Sequence, residues 1–143
     1  MRYIIPIFAF FLLCSCSTPP PTQFARTFRR TFDTGDTNAL LALVKWDGVP
    51  EELRSGMVWK LTNHIGEQRV TKTAWTTFDS QPIIPSNQDG RKLVANLQPK
   101  FWLDVTTESL AGISNPPPLA LRQFLVGVEN EKFYICGFRF QEP

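Results

Sequence analysis

Apolar residues recur along this chain at two different periods, and the change of period divides it. Phe24, Phe28 and Phe32 stand at i, i+4 and i+8, the apolar stripe of a helix that breaks near Gly35. Asp36 or Thr37 then caps a short second helix carrying Leu40, Leu41, Leu43 and Val44. Trp46-Asp47-Gly48-Val49-Pro50 reads as a turn. Pro50 suits the first position of a third helix, and Glu51 and Glu52 suit its positive N-terminal turn. Leu53, Met57 and Leu61 give that helix a buried face. It should run to about His64, with Gly66 ending it.

From Arg69 onward the period is two. Arg69 to Phe78 alternates and is rich in Val, Thr and Trp, which predicts a strand. Lys92 to Leu97, Lys100 to Thr107, Leu119 to Val128 and Lys132 to Gln141 predict four more. Pro-rich loops separate some of them, at Asp79 to Asp89 and Ala111 to Pro118, and Glu129-Asn130-Glu131 makes a tight turn. Helices first and strands after predict an α+β fold. We expect three N-terminal helices packed on a curved, mostly antiparallel sheet of about five strands.

The chain begins differently. Arg2 precedes an apolar run from Tyr3 to Leu13, the form of a secretory signal. At about 11 residues the run is short of the roughly 20 that span a bilayer as a helix. Leu12-Leu13-Cys14-Ser15-Cys16 resembles the lipobox of bacterial lipoproteins. That resemblance implies cleavage before a cysteine whose thiol carries a diacylglycerol. Cys16, with the small Ser15 before it, fits better than Cys14 behind bulky Leu13. Two or three acyl chains make such an anchor stable. The same resemblance implies, from Ser17 in place of an Asp, the outer membrane facing the periplasm if the envelope is Gram-negative. The expected organisation is therefore a signal peptide over 1–15, a lipidated cysteine and Pro-rich tether over 16–22, and one domain over 23–143.

Composition narrows the function only a little. Fifteen Lys and Arg against thirteen Asp and Glu give a net charge of +2 with no charged block, so nucleic acid is not an expected partner. With Cys14 removed and Cys16 acylated, Cys136 stands alone and no intramolecular disulfide is expected. One histidine, His64, makes a zinc site improbable, and no phosphate loop, dinucleotide fingerprint or nucleophile elbow is present. We expect no cofactor and no metal.

The order of elements over residues 23 to 141 resembles the nuclear-transport-factor-2-like superfamily, the cystatin-like α+β cone. The aromatic helix from Phe24 to Phe32, Gly35-Asp36, the Leu-rich Ala39 to Val44 and the closing pair of strands carry the likeness. Many members place a strand between the second and third helices, and Lys45 to Val49 leaves barely room for one. Enzymes of the superfamily line a cone-shaped pocket with Asp, Tyr or His. Asp104 and Tyr134 are this chain's weak candidates for a base and a proton donor, and we expect no catalytic residue. Alternation puts Trp102, Asp104 and Thr106 on one strand face and Phe101, Leu103 and Val105 on the other. Asp47 reads as a turn residue, and Cys136 as a buried, inert thiol. Trp59, Trp75 and Trp102 could line a ligand pocket or simply pack. The reading is a lipid-anchored envelope protein with a non-catalytic domain that binds a small apolar ligand or an envelope protein. The alternatives are an isomerase- or cyclase-type enzyme, or a structural part of an envelope assembly.

Overall fold

The computed structural model describes residues 21–78, 90–110 and 120–141. Among these residues, three helices come first: α1 (Pro21–Asp33), α2 (Thr37–Leu41) and α3 (Glu51–Thr62). Six strands follow: β1 (Gln68–Thr77), β2 (Leu93–Ala95), β3 (Pro99–Ser109), β4 (Ala120–Glu129), β5 (Lys132–Ile135) and β6 (Phe138–Phe140). A curled antiparallel sheet has the order β1-β3-β4-β5, and β2 pairs with β6 in a separate two-stranded ribbon. The fold is α+β, as the change of period predicts.

The Phe stripe becomes the core. Phe24, Phe28 and Phe32 are buried, with Leu103, Val105, Phe124 and Val126 from the sheet in the same cluster. Phe28 lies 5.4 Å from Phe124 and stacks on Phe32 at 6.2 Å, ring centre to ring centre. α1 stops where Gly35 takes a left-handed φ of 72°. The amide of Asp36 then donates to Thr31 O, and that of Gly35 to Phe32 O, which satisfies two carbonyls at the helix end. Asp36 turns at once to cap α2, its Oδ1 accepting from the Ala39 amide at 3.0 Å.

Four expectations need correction. The tether does not extend to residue 22, because Pro21 and Thr22 already belong to α1. A proline fits a first helical turn, where no N–H is needed. Leu43 and Val44 are not helical. The Leu43 carbonyl and the Lys45 amide instead bond the backbone of Ile135, bridging Val44 to it in parallel. α3 ends at Thr62 and not near His64, which has a left-handed φ of 66° in the following turn. Finally, the expected fifth strand is two strands in two sheets. The Cys136 amide still donates to Leu125 O, but Gly137 lies against the turn after α2 and its carbonyl accepts from Asn96. A Cβ on Gly137 would stand 2.6 Å from Lys45 O, so the chain needs glycine where it leaves one sheet for the other.

The β1–β3 register slips between Val70 and Lys72, leaving Thr71 extra. Asp33, at the end of α1, accepts the Val70 amide at 2.8 Å beside that bulge. Helix and bulge are thereby tied together, and β1 keeps Val70 and Trp75 on the helix side.

Candidate functional site

β5 pairs with β4 only from Val126 to Glu129, so β5 leaves the first half of β4 uncovered. The last turns of α3 lie along that uncovered edge. Lys60 Nζ donates to Gln123 O at 3.2 Å. Arg122 answers from the strand, donating to Lys60 O at 3.1 Å and to Asn63 O at 2.7 Å. These are carbonyls a helix end leaves without internal partners. Burial lowers the Arg122 pKa, and its guanidinium lies 5.4 Å from the centre of the Phe32 ring. Arg122→Ala should therefore destabilise the fold by about 2 kcal/mol, through lost charge-assisted bonds to α3. Urea unfolding checks this, and a loss below about 0.5 kcal/mol would mean that the contact does not hold α3 to the edge.

Between α3, the β4 edge and the chain leaving β5 lies an apolar cleft of about 260 Å³. Met57 and Leu61 form its helix wall, and Phe124 and Leu125 its strand wall. Cys136 and Phe138 close one end, and Trp102 reaches it from β3. Lys60 and Gln123 are its polar side chains. The walls can hold an apolar body, and Lys60 can meet a polar end.

Cys136 contributes shape. Its Sγ lies 3.6 Å from Leu97 O, and burial pushes the thiol up to about 12. That value lies above the ordinary 9.0, so the unfolded chain ionises first. The resulting contribution to stability is complete below pH 9 and is lost as the pH rises towards 12. We expect the unfolding midpoint to fall across that window, and to fall less in Cys136→Ala. Equal falls in both chains would contradict a buried thiol. Lys45 adds a second alkaline loss. Hydrogen bonds to Asp47 and then Glu129 raise its pKa above the usual 10.5. Its ammonium clasps both carboxylates and stands 5.7 Å from the Tyr134 ring centre.

The three tryptophans separate. Trp102 lies on the sheet face away from α1, lines the cleft and packs edge-on to Phe78 at 6.0 Å. Trp75 lies on the helix side, against Phe24 and Phe101, so it is a core residue. Its Nε1 is buried with no acceptor among the described residues. Trp59 is 66% exposed on α3 and does not line the cleft.

The carboxylate and the phenol do not meet. Asp104 pairs with Gln123 across β3 and β4, and Gln123 Nε2 donates to Asp104 Oδ1 at 2.9 Å. Tyr134 pairs with Gly127. Those two β4 positions are about 13 Å apart along the strand at the usual rise per residue. Asp47 sits in its turn with Lys45 at 2.6 Å, and His64 Nδ1 lies 2.8 Å from Glu67 Oε2. No group of three metal-ligating side chains forms among the described residues, and no helix among them is long and apolar enough to cross a membrane. Cys16 lies outside the described residues.

Sequence reasoning passed over Lys60, Gln123 and Phe138. One signal was present, since Met57, Lys60 and Leu61 share a helix face at i, i+3 and i+4. No protein-family model, curated protein or solved structure matches the chain.

Proposed function

We propose that this chain is a lipid-anchored protein of the bacterial cell envelope. Its domain binds a small apolar ligand in the cleft beside Trp102, without chemical turnover. The observation that carries the ligand is the cleft itself, walled by Met57, Leu61, Phe124, Leu125 and Phe138. Its 260 Å³ lies just under the usual range for small-molecule sites. At about 30 Å³ per non-hydrogen atom, taking the share of a water in the liquid as a guide, it suits a ligand of roughly nine such atoms. The anchor rests on Leu13-Cys14-Ser15-Cys16, with Cys16 as the acylated residue. The separation of Asp104 from Tyr134 supports binding over isomerase chemistry, because a base and a donor must reach one substrate. Helices followed by antiparallel strands support a variant of the cystatin-like cone, with the last strand diverted into a ribbon.

Met57 offers a direct test. It is one of two methionines, the other being Met1, so a methyl-labelled chain carries one reporter in the domain. In lipid nanodiscs, with empty discs as the blank, 1-octanol should shift the Met57 methyl resonance in a saturable way. An unmoved resonance up to the solubility limit of octanol would rule out the cleft as an apolar site.

A further inference from the structure

Several cations among the described residues have carboxylate partners within the protein. Lys45 holds Asp47 and Glu129, Arg69 holds Glu108, Arg91 holds Glu52, and Arg29 holds Asp33. Lys60 has no carboxylate partner among the described residues. An ammonium carries three donors, and the structure gives one of them to Gln123 O. The same nitrogen stands 5.4 Å from the centre of the Phe124 ring, on the wall of the cleft. Burial first, and the neighbouring Arg122 second, lower its pKa. A bound anion would oppose both effects. Lys60 is an exposed residue on the lining of the cleft, so its ammonium is open to donate a charge-assisted hydrogen bond to an anionic ligand.

We propose that the ligand is a single-chain anionic amphiphile, a medium-chain carboxylate. Its carboxylate meets the Lys60 ammonium and its alkyl chain lies along Met57, Leu61, Trp102 and Phe138. The proposal rests on the reading of the cleft as an apolar ligand site, and it adds the head group. Octanoate, with about ten non-hydrogen atoms, matches the size the cleft suits. Arg122 is not the anion partner, because its guanidinium is committed to the carbonyls of Lys60 and Asn63. Lys60 therefore sets specificity, and the apolar walls supply most of the affinity.

The test compares octanoate, 1-octanol and octylamine on the full chain in nanodiscs, read at the Met57 methyl, for the native chain and for Lys60→Gln. Octanoate should bind about tenfold more tightly than octanol, as one charge-assisted contact allows, and octylamine should bind more weakly than octanol. Lys60→Gln should remove the preference, so that octanoate binds no more tightly than octanol while octanol still saturates the site. The retained octanol binding shows that the variant is folded. Equal binding of octanoate and octanol by the native chain overturns the head-group assignment and leaves the apolar site standing. A preference for octanoate that survives in Lys60→Gln overturns the role of Lys60. No binding of any of the three overturns both this proposal and the apolar site.

Discussion

Replacing Phe28 by alanine should lower the stability of this domain by about 3–5 kcal/mol, the usual loss for a large aromatic removed from a packed core. Phe28 is 1% exposed at the centre of the α1 stripe, where it meets Phe32 on its own helix and Phe124 on β4. None of these neighbours can close the gap easily. Phe32 is fixed by its own helix, and Phe124 sits between strands paired on one side and the cleft on the other. The melting temperature should fall by on the order of 15 °C. A drop of less than about 1.5 kcal/mol would mean that α1 is not seated on the sheet through this residue. The cleft should feel the change too, since Phe124 serves both the core and the cleft wall. Octanol affinity should therefore fall even in the fraction that remains folded.

Gly137→Val should cost about 3 kcal/mol, the upper part of the usual range for forcing bulk into a packed site. The first added carbon would meet Lys45 O at 2.6 Å and Asn96 Nδ2 at 2.8 Å, and a backbone carbonyl cannot swing away. Asn96 is committed there, its amide donating to the carbonyls of Lys45 and Asp47 at 2.8 Å each. Relief requires moving the chain on either side of Gly137. That chain is Cys136 and Phe138, both on the cleft. The variant should lose ligand binding, and its Cys136 should react with a neutral alkylating reagent faster than in the native chain. Unchanged alkylation together with unchanged stability would show that Gly137 has room to spare.

Local pattern carried much of the architecture. The Phe stripe places α1 and its buried face, and the switch to alternation marks the strands to within about two residues, the usual margin for element ends. The faces of β3 were also legible, because a period of two separates Trp102 from Leu103 whatever the fold. Which face meets the helices was not, since that depends on partners distant in sequence. Trp75 and Trp102 therefore look alike in the sequence and lie on opposite faces of the sheet. The diversion of the last strand left one mark, a glycine inside an apolar run at Gly137. Its cause, the turn after α2 pressing on that position, is a contact between residues far apart in the chain. The same holds for Leu43 and Val44, whose helical spacing lost to backbone bonds with Ile135. The cleft was the least legible feature. It exists because β5 stops short along β4, and no window of sequence records where a partner strand ends.

The most direct measurement of the central claim is the native mass of the protein drawn from its own membranes in mild detergent, beside its denatured mass. The account predicts a native mass exceeding the denatured one by a single small molecule, released on unfolding. It also predicts a denatured mass equal to the chain from Cys16 plus acyl groups. A native mass identical to the denatured mass would contradict a ligand-filled cleft, and an unacylated chain would contradict the anchor.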